Sequence, residues 1–326
     1  MSKANDHYFI GIDLGGTNIQ AGIYRSDKKI DRKNLIIRDG AKTKASEGGE
    51  AVLDRIEKLC RKLIEKAGLE PAGIGGLGIG APGAVDIDEG VVMRAPNLGW
   101  TDFKLAKKLS DRFPFKVTVD NDVNVGAWGE YMAGAGRGHR DLMAVFVGTG
   151  VGAGIVLHER LYHGVQFTAG EIGHTVIEGS GVLGRRTVED VGSRTSMVRR
   201  LVRLIQSYHA SVVPELVDGD LSRVRSKILA QAQQQGDALT LEIIADAAEY
   251  IGIAIANSVT LLSLPCVVVG GGATEALGEA WLDQVRAAFT KHVFPKDLAT
   301  TTIVASVLED DAGVIGAALL AEERLG

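Results

Sequence analysis

Gly11-Ile12-Asp13-Leu14-Gly15-Gly16-Thr17, running on into Asn18-Ile19-Gln20-Ala21-Gly22-Ile23-Tyr24, decides how this chain is read. An apolar run enters a glycine turn, and beyond it Ile19, Ala21 and Ile23 alternate with Asn18, Gln20 and Gly22. A period of two belongs to a strand, so the turn joins two strands. A dinucleotide fingerprint or a Walker loop instead opens a helix, whose N-terminus holds the phosphate. A second turn of the same kind lies at Val145-Phe146-Val147-Gly148-Thr149-Gly150-Val151-Gly152. Successive turn N–H groups bind anions without a helix dipole, and the Thr17 and Thr149 hydroxyls add to them. Either turn alone reads first as a tight hairpin in which glycine reaches positive φ. Their pairing, with Asp13 in one and Asn121-Asp122 between them, points to phosphoryl transfer.

The chain has 326 residues, enough for two domains or one large two-lobed unit. It is 45% hydrophobic and 24% charged, a composition that buries a sizeable core. Glycine supplies 42 residues, nearly twice the ordinary share of about 7%, and the excess falls in short turns between apolar runs. A net charge of -5 argues against a nucleic-acid partner. No apolar run is long enough to span a bilayer, which argues against a membrane protein. The polar start from Met1 to His7 carries no secretory signal. Cys60 and Cys266 are too few for a disulfide framework or a cysteine metal site. The expectation is a cytoplasmic protein.

Helical spacing of Val52, Leu53, Ile56, Leu59, Cys60 and Leu63 predicts a helix over 49–67. Residues 74–79 read as a strand ending in the loop Gly80-Ala81-Pro82-Gly83, and Ala95 to Trp100 reads as another loop. Val117-Thr118-Val119 is a short strand delivering Asp120-Asn121-Asp122 to a helix over 123–133. From Val188 to Leu264 the pattern is mostly helical, with breaks near Pro214 and Gly236. Cys266 to Val269 is a buried strand entering Gly270-Gly271-Gly272-Ala273, and a last helix covers 310–322. The repeated strand–turn–strand unit predicts an α/β fold of two similar lobes, with ligands in a cleft between them. The lobes are expected at 1–120 plus 310–326, and at 121–309 with a helical insert.

Four motifs follow one another: Asp13-Leu14-Gly15-Gly16-Thr17-Asn18, Asn121-Asp122-Val123-Asn124, Gly148-Thr149-Gly150-Val151-Gly152 and Ala169-Gly170-Glu171-Ile172-Gly173-His174. In this order the chain resembles the ROK family (repressor, open reading frame, kinase), of the actin-like, ribonuclease H-like sugar-kinase ATPase fold. The resemblance covers nearly the whole chain. It implies that Asp122 is the catalytic base, since sugar phosphorylation needs a carboxylate within reach of the attacking hydroxyl. The plainer reading of an Asp at a strand-to-helix boundary is an N-cap. The resemblance also implies that Gly83, Asn97, Asn121, Glu171, His174 and Glu189 contact a hexose. Gly15, Gly16, Thr17, Asn18, Gly148, Thr149 and Gly150 would hold the phosphates of ATP, and Gly271 and Gly272 the adenosine. Asp13 would orient Mg²⁺, directly or through water, where the plainer reading is an Asp bonded to its own turn.

The chain departs from the family at one segment. Many members carry a Cys-x-Cys-Gly-x-x-Gly-Cys-x-Glu zinc segment, and here the stretch reads Val182-Leu183-Gly184-Arg185-Arg186-Thr187-Val188-Glu189, with no cysteine. A structural zinc site needs about four ligands, so no zinc is expected, and Val182, Leu183 and Val188 are the candidate apolar replacements. Arg185, Arg186, Arg194, Arg199, Arg200 and Arg203 form a basic run, read first as a solvated face and second as a track for polyphosphate.

The expected activity is an ATP- and Mg²⁺-dependent hexokinase, with glucose phosphorylated at its 6-hydroxyl. Alternatives within the class are a kinase for fructose, mannose or N-acetylmannosamine, or a polyphosphate-dependent glucokinase. Outside it stands a sugar-sensing regulator; family repressors carry an N-terminal helix-turn-helix, for which a first strand beginning near Tyr8 leaves no room. A nucleotide-binding oxidoreductase is disfavoured by the hairpin after Thr17. The resemblance implies a homodimer or homotetramer.

Overall fold

The computed structural model describes residues 7–27, 29–179 and 186–326. The proposed zinc replacements Val182 and Leu183, with Gly184 and Arg185, lie outside the described residues.

In chain order the elements are β1 (Tyr8–Leu14), β2 (Asn18–Arg25), β3 (Leu35–Lys42), α1 (Gly49–Lys66), β4 (Ile74–Ala81), β5 (Ala84–Asp86), β6 (Val91–Ala95), β7 (Trp100–Phe103), α2 (Leu105–Ser110), β8 (Val117–Asn121) and α3 (Asp122–Ala133). There follow β9 (Leu142–Val147), β10 (Val151–Leu157), β11 (Arg160–Leu161), β12 (Val176–Glu178), β13 (Arg186–Thr187), α4 (Val188–Gly192), α5 (Arg194–Gln206), α6 (Val213–Leu216), α7 (Ser226–Gln234) and α8 (Ala238–Leu262). The chain ends with β14 (Cys266–Gly270), α9 (Gly272–His292), β15 (Thr302–Ala305) and α10 (Ala312–Leu325).

One compact unit comprises residues 1–140, 154–169 and 310–326, and a second comprises 141–153 and 170–309. This differs from the expected division at residue 120. The cause is close packing of α3 on α10: a Cβ added at Gly316 would lie 1.7 Å from the Val125 carbonyl oxygen. Only glycine permits backbones to approach so closely, and the approach keeps α3 with the first unit.

The first unit's sheet has the order β3–β2–β1–β4–β8. β1 pairs antiparallel with β2 and parallel with β4, and β8 runs parallel to β4. Ile10, Ile12 and Leu14 are fully buried, as are Val52, Leu53, Ile56 and Leu63 of α1. Each such side chain contributes about 1.5–3 kcal/mol by leaving water. Parallel strands covered on both faces read as apolar runs, and this places β1 and β8 side by side across β4. Their C-terminal ends therefore carry Asp13 and Asn121 near one edge. The predicted loop at 95–100 is instead a 3-10 turn, Pro96–Leu98, between β6 and β7 of a three-stranded sheet. The loop predicted to begin at Gly80 begins two residues later, because β4 runs through Ala81.

In the second unit β9, β14 and β15 lie parallel. The helical insert runs from α4 to α8; the expected break at Pro214 falls before it, at 207–212, because Pro214 occupies the first turn of α6, where proline is tolerated.

Asp120 is nearly wholly buried at the end of β8. Its Oδ2 accepts from Arg324 Nη2 at 2.6 Å and from His163 Nε2 at 2.9 Å. Its Oδ1 accepts from the Asn121 N–H at 2.8 Å and Asn124 Nδ2 at 3.1 Å. Burial alone raises such a carboxyl, but the His163 hydrogen bond and charge, with Arg324, hold it below the usual range. A folded value below the unfolded one stabilises the protein above about pH 4, and that stabilisation is lost as pH falls through the folded value. Urea melts are expected to show midpoints falling below about pH 4, with a flatter acid limb in Arg324→Met.

Candidate active site

The first glycine turn is a hairpin closed by a hydrogen bond from the Gly15 N–H to the Asn18 carbonyl at 2.9 Å. Thr43 straps it from β3's side: its N–H donates to Thr17 O at 2.9 Å and its hydroxyl to Gly15 O at 2.6 Å. Asn18 accepts from Lys42 Nζ at 2.8 Å. Asn97 stands against this turn, since a Cβ added at Gly16 would meet Asn97 Cβ at 3.1 Å. Asp13 precedes the turn and faces Gly313 of α10. Burial, then the charges of Asp122 and Asp310, push its carboxyl up to about 7.

The junction between β8 and α3 separates two roles that the sequence leaves merged. Asn121, not Asp122, is the N-cap: its Oδ1 accepts from the Val123 and Asn124 N–H groups at 2.9 and 3.1 Å. Its Nδ2 donates to Gly83 O at 3.0 Å and to Asp122 Oδ1 at 3.1 Å. Gly83 reaches this position with φ of 88°, in the left-handed region that favours glycine. Asn121, expected as a sugar contact, thus caps α3 through its Oδ1 and bonds both Gly83 and Asp122 through its Nδ2. Asp122 is the first residue of α3 and its Oδ1 also accepts from the Val123 N–H at 2.9 Å. These two bonds fix the orientation of the carboxylate, as a general base requires.

The second glycine turn closes with Gly148 N–H to Gly150 O at 2.9 Å. Glu189 of α4 braces it, its Oε2 accepting from the Val151 N–H at 3.0 Å, and the Arg194 N–H donates to Gly148 O at 2.9 Å. Glu171 and His174 are exposed and flank the 3-10 turn Ile172–His174, with His174 Nε2 3.7 Å from Glu171 Oε2. Gly271, with φ of 89°, precedes α9, and Gly272 opens it. The first unit therefore brings together Asp13, Gly15, Gly16, Thr17, Asn97, Asn121, Asp122 and Gly83. The second holds Gly148, Thr149, Gly150, Glu171, His174, Glu189, Gly271 and Gly272. Sequence reading missed Asp120, Asp310 and Thr43; their signals lie in three-dimensional contacts, not in spacing.

Among the described residues no group of three or more His, Cys, Asp or Glu forms a protein-only metal cage. Burial, with the nearby charges of Asp122 and Asp310, nevertheless makes the Asp13 carboxyl hard to ionise on its own. That suits a hard cation carried mainly by phosphates and water. No described helix is long and apolar enough to cross a membrane.

Fold and local chemistry define the class: a two-lobed α/β ATPase of the actin-like, sugar-kinase type. Residues 9–324 match the ROK family, and the chain belongs to it. It is 35% identical over 322 residues to a glucokinase of Thermotoga maritima, covering 97% of this chain and 98% of that one. It is 30% identical over 314 residues to a xylose repressor of Caldicellulosiruptor bescii, covering 94% of this chain and 76% of the repressor. Among solved structures it is similar to a ROK family glucokinase from Streptomyces griseus in complex with glucose and AMPPNP. That likeness has a TM-score of 0.83 at 30% identity, over 97% of this chain and 99% of the other.

Proposed function

We propose that this protein is an ATP-dependent glucose kinase that phosphorylates the sugar 6-hydroxyl, with Asp122 as its general base. One observation carries the assignment of the base. Asn121 performs the helix-capping role and leaves Asp122 at the start of α3, held by Asn121 and its own helix. The carboxylate takes the proton of the 6-hydroxyl as the oxygen attacks the γ-phosphorus; the bond from phosphorus to the bridging oxygen breaks and ADP leaves. The turn N–H groups at Gly15–Thr17 and Gly148–Gly150 bind phosphate oxygens, where fixed dipoles stabilise developing charge. Asp13 would hold Mg²⁺ through water, and the ion would supply neutralisation of phosphate charge. Asn97, Glu171, His174 and Glu189 read the sugar hydroxyls, Asn121 orients Asp122, and Gly271 with Gly272 admits the purine.

The glucokinase relatives support glucose as acceptor and ATP as donor. The test is ADP release with Mg²⁺ and a zinc chelator present, across glucose, fructose, mannose and N-acetylmannosamine, with ATP and polyphosphate as donors. Glucose with ATP is expected to give the highest kcat/KM, unaffected by the chelator. A preference for another sugar or for polyphosphate would reassign the substrate, and no turnover with any pair would leave a sugar-binding regulator as the better reading.

A further inference from the structure

The hairpin β12–β13 pairs Val176 with Thr187 and Glu178 with Arg186. Its root joins two candidate sugar contacts. His174 lies two residues before β12 and Glu189 two residues after β13. The Val188 N–H donates to Thr175 O at 3.0 Å, tying the neighbours of both. Thr187 caps α4 by a reciprocal pair of bonds with Asp190 and so sets the helix that carries Glu189.

The other end of the hairpin is closed by a side-chain clasp. Arg186 Nε donates to Glu178 Oε2 at 2.6 Å, and Arg186 Nη2 donates to both Glu178 oxygens. The Tyr250 hydroxyl of α8 donates to Glu178 Oε1. The Arg186 guanidinium carbon lies 5.9 Å from the Tyr250 ring centroid. Hydrogen bonds from Arg186 and then Tyr250 hold the Glu178 carboxyl below the usual range. α8 is a firm anchor, because Ala247, Ala248 and Ile251 on the flanking turns are fully buried. The same helix supports the far end of α4, where a Cβ added at Gly192 would meet Ile251 Cδ1 at 2.7 Å.

Strands of three and two residues have no stability of their own, and a slip of one residue turns every side chain to the opposite face. Something outside the backbone must set the register. We propose that Glu178, Arg186 and Tyr250 are positioning residues for sugar recognition, holding this hairpin in the register that sets His174 and Glu189 for the hexose. The proposal rests on the sugar-reading role assigned above to His174 and Glu189. A partly exposed ion pair adds little to global stability, so its removal acts on geometry at the hairpin root.

The experiment compares glucose KM, ATP KM, kcat and Tm in the full-length wild type and in Arg186→Gln, Glu178→Gln and Tyr250→Phe. Glu189→Gln serves as reference. Arg186→Gln and Glu178→Gln are expected to raise glucose KM about tenfold, and Tyr250→Phe about threefold, with kcat and ATP KM within about twofold. Unchanged glucose KM in all three clasp variants, beside a raised value in Glu189→Gln, would overturn the clasp and leave the sugar reading standing. Joint loss of kcat, both KM values and Tm would reduce the clasp to a structural contact and overturn it likewise. An unchanged glucose KM in Glu189→Gln would sink the sugar reading, and the clasp with it.

Discussion

Asp122→Asn is expected to lower kcat with glucose and ATP by about two to four orders of magnitude, the usual contribution of a positioned general base. Asparagine keeps the size of the side chain and an oxygen that accepts from the Val123 N–H, as Asp122 Oδ1 does at 2.9 Å. The helix start also survives, because Asn121 provides the cap. The amide cannot take a proton, so the loss falls on chemistry while KM for glucose and ATP changes little. Thermal unfolding within about 2 °C of wild type would confirm that the fold is intact. A variant that retains most of its kcat would show that another group removes the proton.

The largest effect on stability is expected at Gly316. Its α-carbon faces Val125 on α3 so closely that the methyl of Gly316→Ala would lie 1.7 Å from a backbone oxygen and 2.7 Å from the Gly129 nitrogen. Backbone atoms cannot rotate away as a flexible side chain can, so α10 and α3 must separate. The cost is expected to be about 3 kcal/mol or more, at the upper end for overpacking, with Tm lower by roughly 6–12 °C. The shift also moves Gly313 from Asp13, where the two are in contact, so activity should fall at temperatures where the fold persists. Gly73→Ala is the matched control: its added methyl meets nothing within 4 Å, and Tm should stay within about 2 °C. Similar denaturation midpoints for the two variants would contradict the packing argument.

Much of the scaffold could be read from period and punctuation. The alternation of Ile19, Ala21 and Ile23 predicts β2, and the spacing of Val52, Ile56 and Leu63 predicts α1 within a residue of its observed end. β3 escaped because it is an edge strand whose alternation, Leu35-Ile36-Ile37-Arg38-Asp39-Gly40, mixes glycine and charge. β5, β6 and β7 are short strands set among Pro, Gly and Asn, whose local signal is that of a loop. In the candidate site the glycine turns and Asp122 stand out by spacing. The division of labour between Asn121 and Asp122 does not, because either residue is a good cap and only the hydrogen bonds decide. Asp120, buried behind them, lacks any local signal for partners 43 and 204 residues away. Glu178 and Tyr250 are likewise joined across 72 residues.

The most direct measurement is a crystal structure of the protein with glucose and a non-hydrolysable ATP analogue. The account predicts an Asp122 carboxylate oxygen about 2.6–3.2 Å from the sugar 6-hydroxyl, with Asn121 still capping α3. An Asp122 side chain turned away from the sugar, with a different group bonded to that hydroxyl, would contradict it.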